Sequence, residues 1–271
     1  NVTCWDDSKK IRKEIKKFEV SKFWKNKKNI DHIIVSPGIN IDNCKLKKYI
    51  KKNFHKVITD LDIFFETNKE KLIISVTGTN GKSTTCKIIE KILKEAKFKV
   101  NTVGNIGEPI LSLSKIKKKT IFILEVSSYQ LQYSRFFRSN YAAILNISPD
   151  HLERHKSMKN YIRIKSRIFF GQTKTDYSYI NENNRYSKYI KKIFKSKKLN
   201  LKLISVKKSS INFLLKNINN YNFKTRSSLE NLAFAYKISE KLKISKKTII
   251  KAINNFKNLP HRQEIVFSSN K

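Results

Sequence analysis

The chain has 271 residues, 39% hydrophobic and 11% aromatic, enough for two packed cores but with no apolar run able to cross a bilayer. A cytoplasmic protein that touches no membrane is expected. Its 59 basic against 21 acidic residues give a net charge of +38, yet only nine are Arg and fifty are Lys scattered over the whole length, which argues for solvated lysine faces and against nucleic-acid recognition.

Residues 1–5 read as a short strand ending at Asp6-Asp7-Ser8, and Lys9 to Phe18 as a basic helix with Ile11, Ile15 and Phe18 on one face. His32 to Val35 reads as an apolar strand stopped by the turn Ser36-Pro37-Gly38. Leu46 to Lys52 reads as a helix, Val57 to Thr59 as a short strand, and Leu61 to Phe65 as the start of another helix. Strands follow at Leu72–Val76, Lys99–Val103, Thr120–Val126, Tyr141–Ile147, Tyr177–Ile180 and Leu201–Val206. Between and after them, Met158–Phe169, Arg185–Phe194, Arg226–Lys241 and Ser245–Phe256 carry helical apolar periodicity. Such alternation predicts an α/β fold of parallel sheets with flanking helices. Ligands bind beyond the carboxyl ends of such strands, so Asp6, Ser36, Pro37 and Gly38 are candidate contacts, although each also fits ordinary turn chemistry. Cys4, Cys44 and Cys86 share no metal-binding or redox spacing and read as reduced thiols.

The stretch Lys71–Thr85 is the most informative. A buried strand runs into Gly78-Thr79-Asn80-Gly81, then Lys82-Ser83-Thr84, then Ile88, Ile89, Ile92 and Leu93 at helical spacing. Strand, glycine loop, Lys-Ser and helix form a phosphate-binding arrangement: glycines let backbone N–H groups approach phosphate oxygens, and the helix N-terminus adds partial positive charge. Lys82 would neutralise the β/γ-phosphates and Ser83 would ligate Mg²⁺. The two-residue spacing between the glycines departs from the common four, and Gly-Lys-Ser alone would read as an ordinary βα turn.

Glu125 is the one acid on an otherwise apolar strand, the place where nucleotide-binding enzymes put a Mg²⁺-holding carboxylate. Without the glycine loop beside it, a solvent-facing strand end would explain it as well. His151 and His155 are four residues apart, but Pro149 and the polar run after it predict a loop rather than a helical metal pair.

The octet Thr77 to Thr84 resembles the ATP-binding loop of the Mur ligase and folylpolyglutamate synthetase superfamily. Leu124-Glu125-Val126-Ser127-Ser128-Tyr129-Gln130-Leu131 and Asn146 to His155 resemble segments of the D-glutamate-adding branch of the Mur ligases. Gly104-Asn105-Ile106-Gly107 and Leu259-Pro260-His261-Arg262 match the same branch, in the same order. The resemblance implies ATP and two Mg²⁺ ions as cofactors, with UDP-N-acetylmuramoyl-L-alanine and D-glutamate as substrates. It implies nucleotide contacts from Gly78 through Thr84, from Asn231 and from Arg262. Ser83 and Glu125 would hold the first Mg²⁺ and His151 the second. Lys165 would be carbamylated to supply a ligating carboxylate, since an unmodified ammonium would repel the metal. Lys82, His151 and Lys165 would be the catalytic residues. Asn105 would contact the muramoyl group, and Asp6, Ser36, Pro37 and Gly38 the uridine.

The resemblance further implies a partial Rossmann-like substrate-binding domain over 1–68 and a P-loop-type central ATPase domain over 69–271, in a monomer. It leaves the family's first strand, its glycine-rich turn and the glutamate-binding third domain without counterparts. An incomplete piece that hydrolyses ATP slowly and makes no amide is therefore expected. Ser227-Ser228 replaces a His-Asn pair of the family, and that Asn helps to bind adenine. The alternatives are another Mur ligase, a folylpolyglutamate synthetase, or a remnant that binds nucleotide without turnover.

Overall fold

The computed structural model describes residues 2–15, 30–105, 108–112, 119–197, 199–205 and 211–258. Phe18, Ile106, Gly107, Val206 and the segment Leu259 to Arg262 lie outside them. Helix α1 (Lys9–Glu14) is followed by strand β1 (Ile33–Ile34), helix α2 (Lys47–Lys52) and strand β2 (Val57–Ile58), which pairs in parallel with β1. Helix α3 (Asp60–Thr67) then leads to the central strand β3 (Leu72–Thr77) and to helix α4 (Lys82–Glu95). Next come β4 (Lys99–Gly104), β5 (Thr120–Glu125), α5 (Ser128–Tyr133), β6 (Tyr141–Ile144), α6 (Leu152–His155) and α7 (Met158–Ser166). The order ends with β7 (Tyr177–Asn181), α8 (Ser187–Ile193), β8 (Leu201–Ile204), α9 (Ile211–Asn217), α10 (Arg226–Lys241) and α11 (Lys246–Asn254).

Strands β3 to β8 form one parallel sheet in the order β4-β5-β3-β6-β7-β8. The central strand is buried on both faces, with Ser75 and Thr77 as its only polar residues, and Ser75 Oγ is hydrogen-bonded to Ser139 Oγ at 2.6 Å. Ile74 and Val76 pack on one face with Ile88, Ile89 and Ile92 of α4 and with Leu232 and Ile249 of α10 and α11. Ile73 packs on the other with Leu61 and Phe64 of α3, Leu131 of α5 and Tyr161 of α7. Because β3 lies between β5 and β6, the chain leaves it in one direction and returns on its other side. Crevices at the carboxyl ends of the strands open where the order reverses in this way.

Three sequence expectations change. Residues 2–5 form no strand, because no described segment lies alongside to complete a ladder. Instead the Trp5 indole donates to Asp7 Oδ1 at 3.1 Å, and the Arg12 guanidinium sits 4.7 Å over the Trp5 ring. The run after Pro149 is not all loop: residues Leu152–His155 close one helical turn, bracketed by His151 at φ 52° and Lys156 at φ 68°. Helix α9 was not signalled by the sequence, and the 141–147 strand ends at Ile144.

Candidate functional site

The glycine loop joins β3 to α4 at the middle of the sheet. Gly81 takes a left-handed φ of 82° at the start of α4, and among the described residues no side chain caps that helix. The start of a helix is where backbone amides can meet an anion. The loop is held from the next strand by Asn146. The Asn80 amide donates to Asn146 Oδ1 at 2.8 Å, Asn146 Nδ2 donates back to the Asn80 carbonyl at 3.0 Å, and the Thr79 amide donates to the Asn146 carbonyl at 3.0 Å. Thr79 Oγ1 also donates to the Ser148 carbonyl and accepts from the Ser148 amide. A Cβ on Gly81 would stand 2.4 Å from Asn231 Oδ1, so α10 delivers Asn231 directly against the loop.

Two ammonium groups converge on one carbonyl. Lys82 Nζ donates to the carbonyls of Gly78 (3.1 Å) and Thr79 (2.9 Å), and Lys165 Nζ donates to that of Gly78 at 2.9 Å. Lys165 is buried, with its Nζ 4.8 Å over the Tyr161 ring. Burial, reinforced by the Lys82 charge, pulls its pKa down to about 7. The Tyr161 hydroxyl lies 3.4 Å from Thr79 Oγ1, and its ring stacks on buried His155. His155 shares a 3.0 Å hydrogen bond between Nε2 and Ser128 Oγ. Burial first, then the Arg154 charge, pushes its pKa down to about 4.

Glu125 ends β5 beside Val76 of β3 and is only 1% exposed, which excludes a solvent-facing strand end. Its Oε1 accepts from Asn105 Nδ2 at 2.9 Å, while Oε2 and the equally buried Ser83 Oγ have no hydrogen-bond partner among the described residues. A buried carboxylate oxygen left unpaired is costly, on the order of 1–3 kcal/mol or more. A cation would offset that cost, and oxygen donors such as these suit a hard divalent ion such as Mg²⁺ or Ca²⁺. Gly104 makes room for this arrangement: its φ is 110° and a Cβ there would meet the Glu125 carbonyl at 2.4 Å. His151 is partly exposed, with its ring 4.9 Å from Tyr129 and Nε2 3.3 Å from Asp150 Oδ2. Among the described residues no three His, Cys, Asp or Glu side chains form a ready-made metal cluster.

A cleft of about 700 Å³ opens beside Asn105, between the Pro37-Gly38 turn and α5. Pro37, Gly38 and Asn105 line it together with Tyr129, Glu153 and Arg154, whereas Asp6 and Ser36 do not. Asp6 Oδ1 instead accepts from the Ser8 amide at 2.7 Å at the start of α1, and the Ser36 carbonyl accepts from the Ile39 amide. Thr84 follows Ser83 in the first turn of α4. Ser228 Oγ donates to the Thr225 carbonyl at 2.8 Å within its own helix start. Arg262 lies outside the described residues. Sequence reasoning missed the roles of Asn146, Tyr161 and Arg154; the motif around Asn146 and Arg154 was visible, but not what its side chains grip.

A parallel sheet with a glycine loop, two lysines on one carbonyl and a buried strand acid with one unpaired oxygen beside it has the layout of the phosphate-loop class. The Mur ligase middle domain matches residues 76–252, and the chain belongs to the Mur ligase family. It is 36% identical over 258 residues to the UDP-N-acetylmuramoylalanine–D-glutamate ligase of Rickettsia felis, covering 89% of this chain and 56% of that protein. Identity to the same-named ligase of Rickettsia bellii is 38% over 254 residues, covering 87% and 56%. The chain thus spans little more than half the length of these curated relatives. Among solved structures, the UDP-N-acetylmuramate:L-alanyl-gamma-D-glutamyl-meso-diaminopimelate ligase of Neisseria meningitides shares the fold with a TM-score of 0.61 at 11% identity, over 95% of this chain and 90% of that one. The bifunctional folylpolyglutamate synthase/dihydrofolate synthase of Yersinia pestis, complexed with AMPPNP and Mn ion, gives 0.54 at 17% identity, over 77% and 63%.

Proposed function

We propose that this chain carries the ATP-binding and carboxylate-activating part of a ligase that joins D-glutamate to UDP-N-acetylmuramoyl-L-alanine in peptidoglycan precursor synthesis. The observation that carries the reading is the pair of buried, unpartnered oxygens, Ser83 Oγ and Glu125 Oε2, beside the glycine loop. The relatives' names support the substrates, and the AMPPNP and manganese of the Yersinia pestis structure support a nucleotide with a divalent cation.

The loop amides and Lys82 bind and orient the β- and γ-phosphates, and Asn231 packs the loop from the side of α10. Ser83 and Glu125 would hold one Mg²⁺ and His151 a second, and these ions would supply charge neutralisation on the transferring phosphoryl group. The substrate carboxylate attacks the γ-phosphorus, ADP leaves, and the acyl phosphate is open to the D-glutamate amine. Asn105, fixed by Glu125, and the Pro37-Gly38 turn hold the UDP-linked substrate in the cleft. Lys165 is poised for carbamylation: with its pKa near 7 much of the amine is neutral at cytoplasmic pH. That amine forms an N–C bond to CO₂ and releases a proton, so a repelling cation becomes a ligating carboxylate. The division into a substrate unit over 1–68 and an ATPase unit from 69 belongs to the same proposal, as do a cytoplasmic location and a monomeric state.

The test is phosphate release from Mg–ATP. Release that requires UDP-N-acetylmuramoyl-L-alanine supports the reading. ATP binding with no substrate-dependent release would instead mark a non-catalytic nucleotide-binding protein.

A further inference from the structure

We propose that Arg154 is a positioning residue that docks the Pro37–Ile39 turn onto the ATPase unit and so sets one wall of the cleft. The inference rests on the reading of that cleft as the site of the UDP-linked substrate.

One helical turn, α6, presents Arg154 between two walls. On one side its Nε donates to Gln132 Oε1 at 2.7 Å, which fixes the plane of the guanidinium against α5. On the other side its terminal nitrogens donate to three successive carbonyls: Gly38 at 3.2 Å, Pro37 at 3.5 Å, and Ile39. The plane lies 5.3 Å from the Tyr129 ring and 5.9 Å from that of Tyr133. Tyr133 completes the attachment, its hydroxyl accepting from the Ile41 amide at 3.2 Å.

All three carbonyls accept hydrogen bonds from this one side chain. A planar guanidinium with five N–H groups can serve them together while stacking on an aromatic face, and a lysine ammonium cannot. The turn that Arg154 grips is the turn that lines the cleft opposite Asn105. Its position relative to the phosphate loop therefore depends on this side chain. A direct charge contact with the diphosphate of the substrate makes a different forecast, since Lys would then preserve much of the effect.

The experiment uses the full chain with Arg154→Lys and Arg154→Met. Backbone hydrogen exchange at Ile39 and Ile41 is measured without ligand, and affinities for UDP-N-acetylmuramoyl-L-alanine and for Mg–ATP are measured by calorimetry. Both variants should speed exchange at 39–41 and weaken the UDP-linked substrate by about tenfold or more, with Mg–ATP affinity held within about twofold. Unchanged exchange in Arg154→Lys would overturn the docking role. So would recovery of substrate affinity by Lys but not Met, or an equal loss of ATP affinity. If the wild-type chain does not take the UDP-linked probe, the substrate reading of the cleft fails, while the exchange data still decide whether Arg154 docks the turn.

Discussion

Lys165 Nζ donates to the carbonyl of Gly78 at 2.9 Å, tying the end of α7 to the first residue of the glycine loop. The same carbonyl accepts from Lys82, so the loop is gripped at one point by two lysines of different character. Lys82 sits in the first turn of α4 and also donates to the Thr79 carbonyl at 2.9 Å. Lys165 is buried, and its ammonium is destabilised by that burial.

Lys82→Ala should weaken Mg–ATP binding by about tenfold or more, because a charge-assisted hydrogen bond contributes roughly 1.5–3 kcal/mol. Calorimetry on the two proteins checks this; equal affinities would remove Lys82 from the phosphate site. The fold should survive, since the loop keeps its clamp to Asn146.

With its pKa near 7, Lys165 is mostly neutral at pH 8 and mostly charged at pH 6. Labelled bicarbonate should therefore give a carbamate carbon signal at pH 8 that fades at pH 6 and is missing from Lys165→Met. A signal of equal strength in that variant would place the modification elsewhere.

His155 gives a stability prediction with a definite sign. Its folded pKa, about 4, lies below the unfolded value of 6.5, so between these pH values the unfolded chain binds more protons. The contribution of neutral His155 is full above pH 6.5 and is lost as pH falls toward 4. The window of about two and a half units corresponds to roughly 3 kcal/mol. His155→Gln should flatten the fall in urea-unfolding free energy between pH 6.5 and 4 relative to wild type. Parallel pH profiles would refute this.

Asp62 holds two segments together. Its Oδ1 accepts from Ser134 Oγ and from the amides of Arg135, Phe136 and Phe137, while Oδ2 accepts from Thr59 at the start of α3. Asp62→Ala would leave buried donors unpaired and should lower stability by at least about 3 kcal/mol. A urea midpoint shift worth less than half of that would show the donors finding other partners.

The glycine loop between β3 and α4 was legible because everything it needs is local: an apolar run, glycines where the backbone must turn, and helical spacing after Lys82. Glu125 was legible as an acid out of place on an apolar strand. Lys165 was not, being one of fifty lysines until the fold buries it; only the resemblance singled it out. Arg154 and Asn146 act across more than sixty positions of chain on backbone groups that carry no sequence signature. The strand expected at 1–5 failed for a related reason: its composition suits a strand, but a strand also needs a neighbour.

In the proposed site, Ser83 and Glu125 hold a divalent cation against the phosphates of ATP in the Gly78–Thr84 loop. Titrating ATP into wild type and Glu125→Gln, with and without Mg²⁺, tests it most directly. Glutamine keeps an oxygen for Asn105 and removes only the charge, so the fold and the metal-free affinity should persist. Mg²⁺ should tighten ATP binding by about tenfold or more in wild type and by less than about twofold in the variant. The same Mg²⁺ dependence in both proteins would contradict the account.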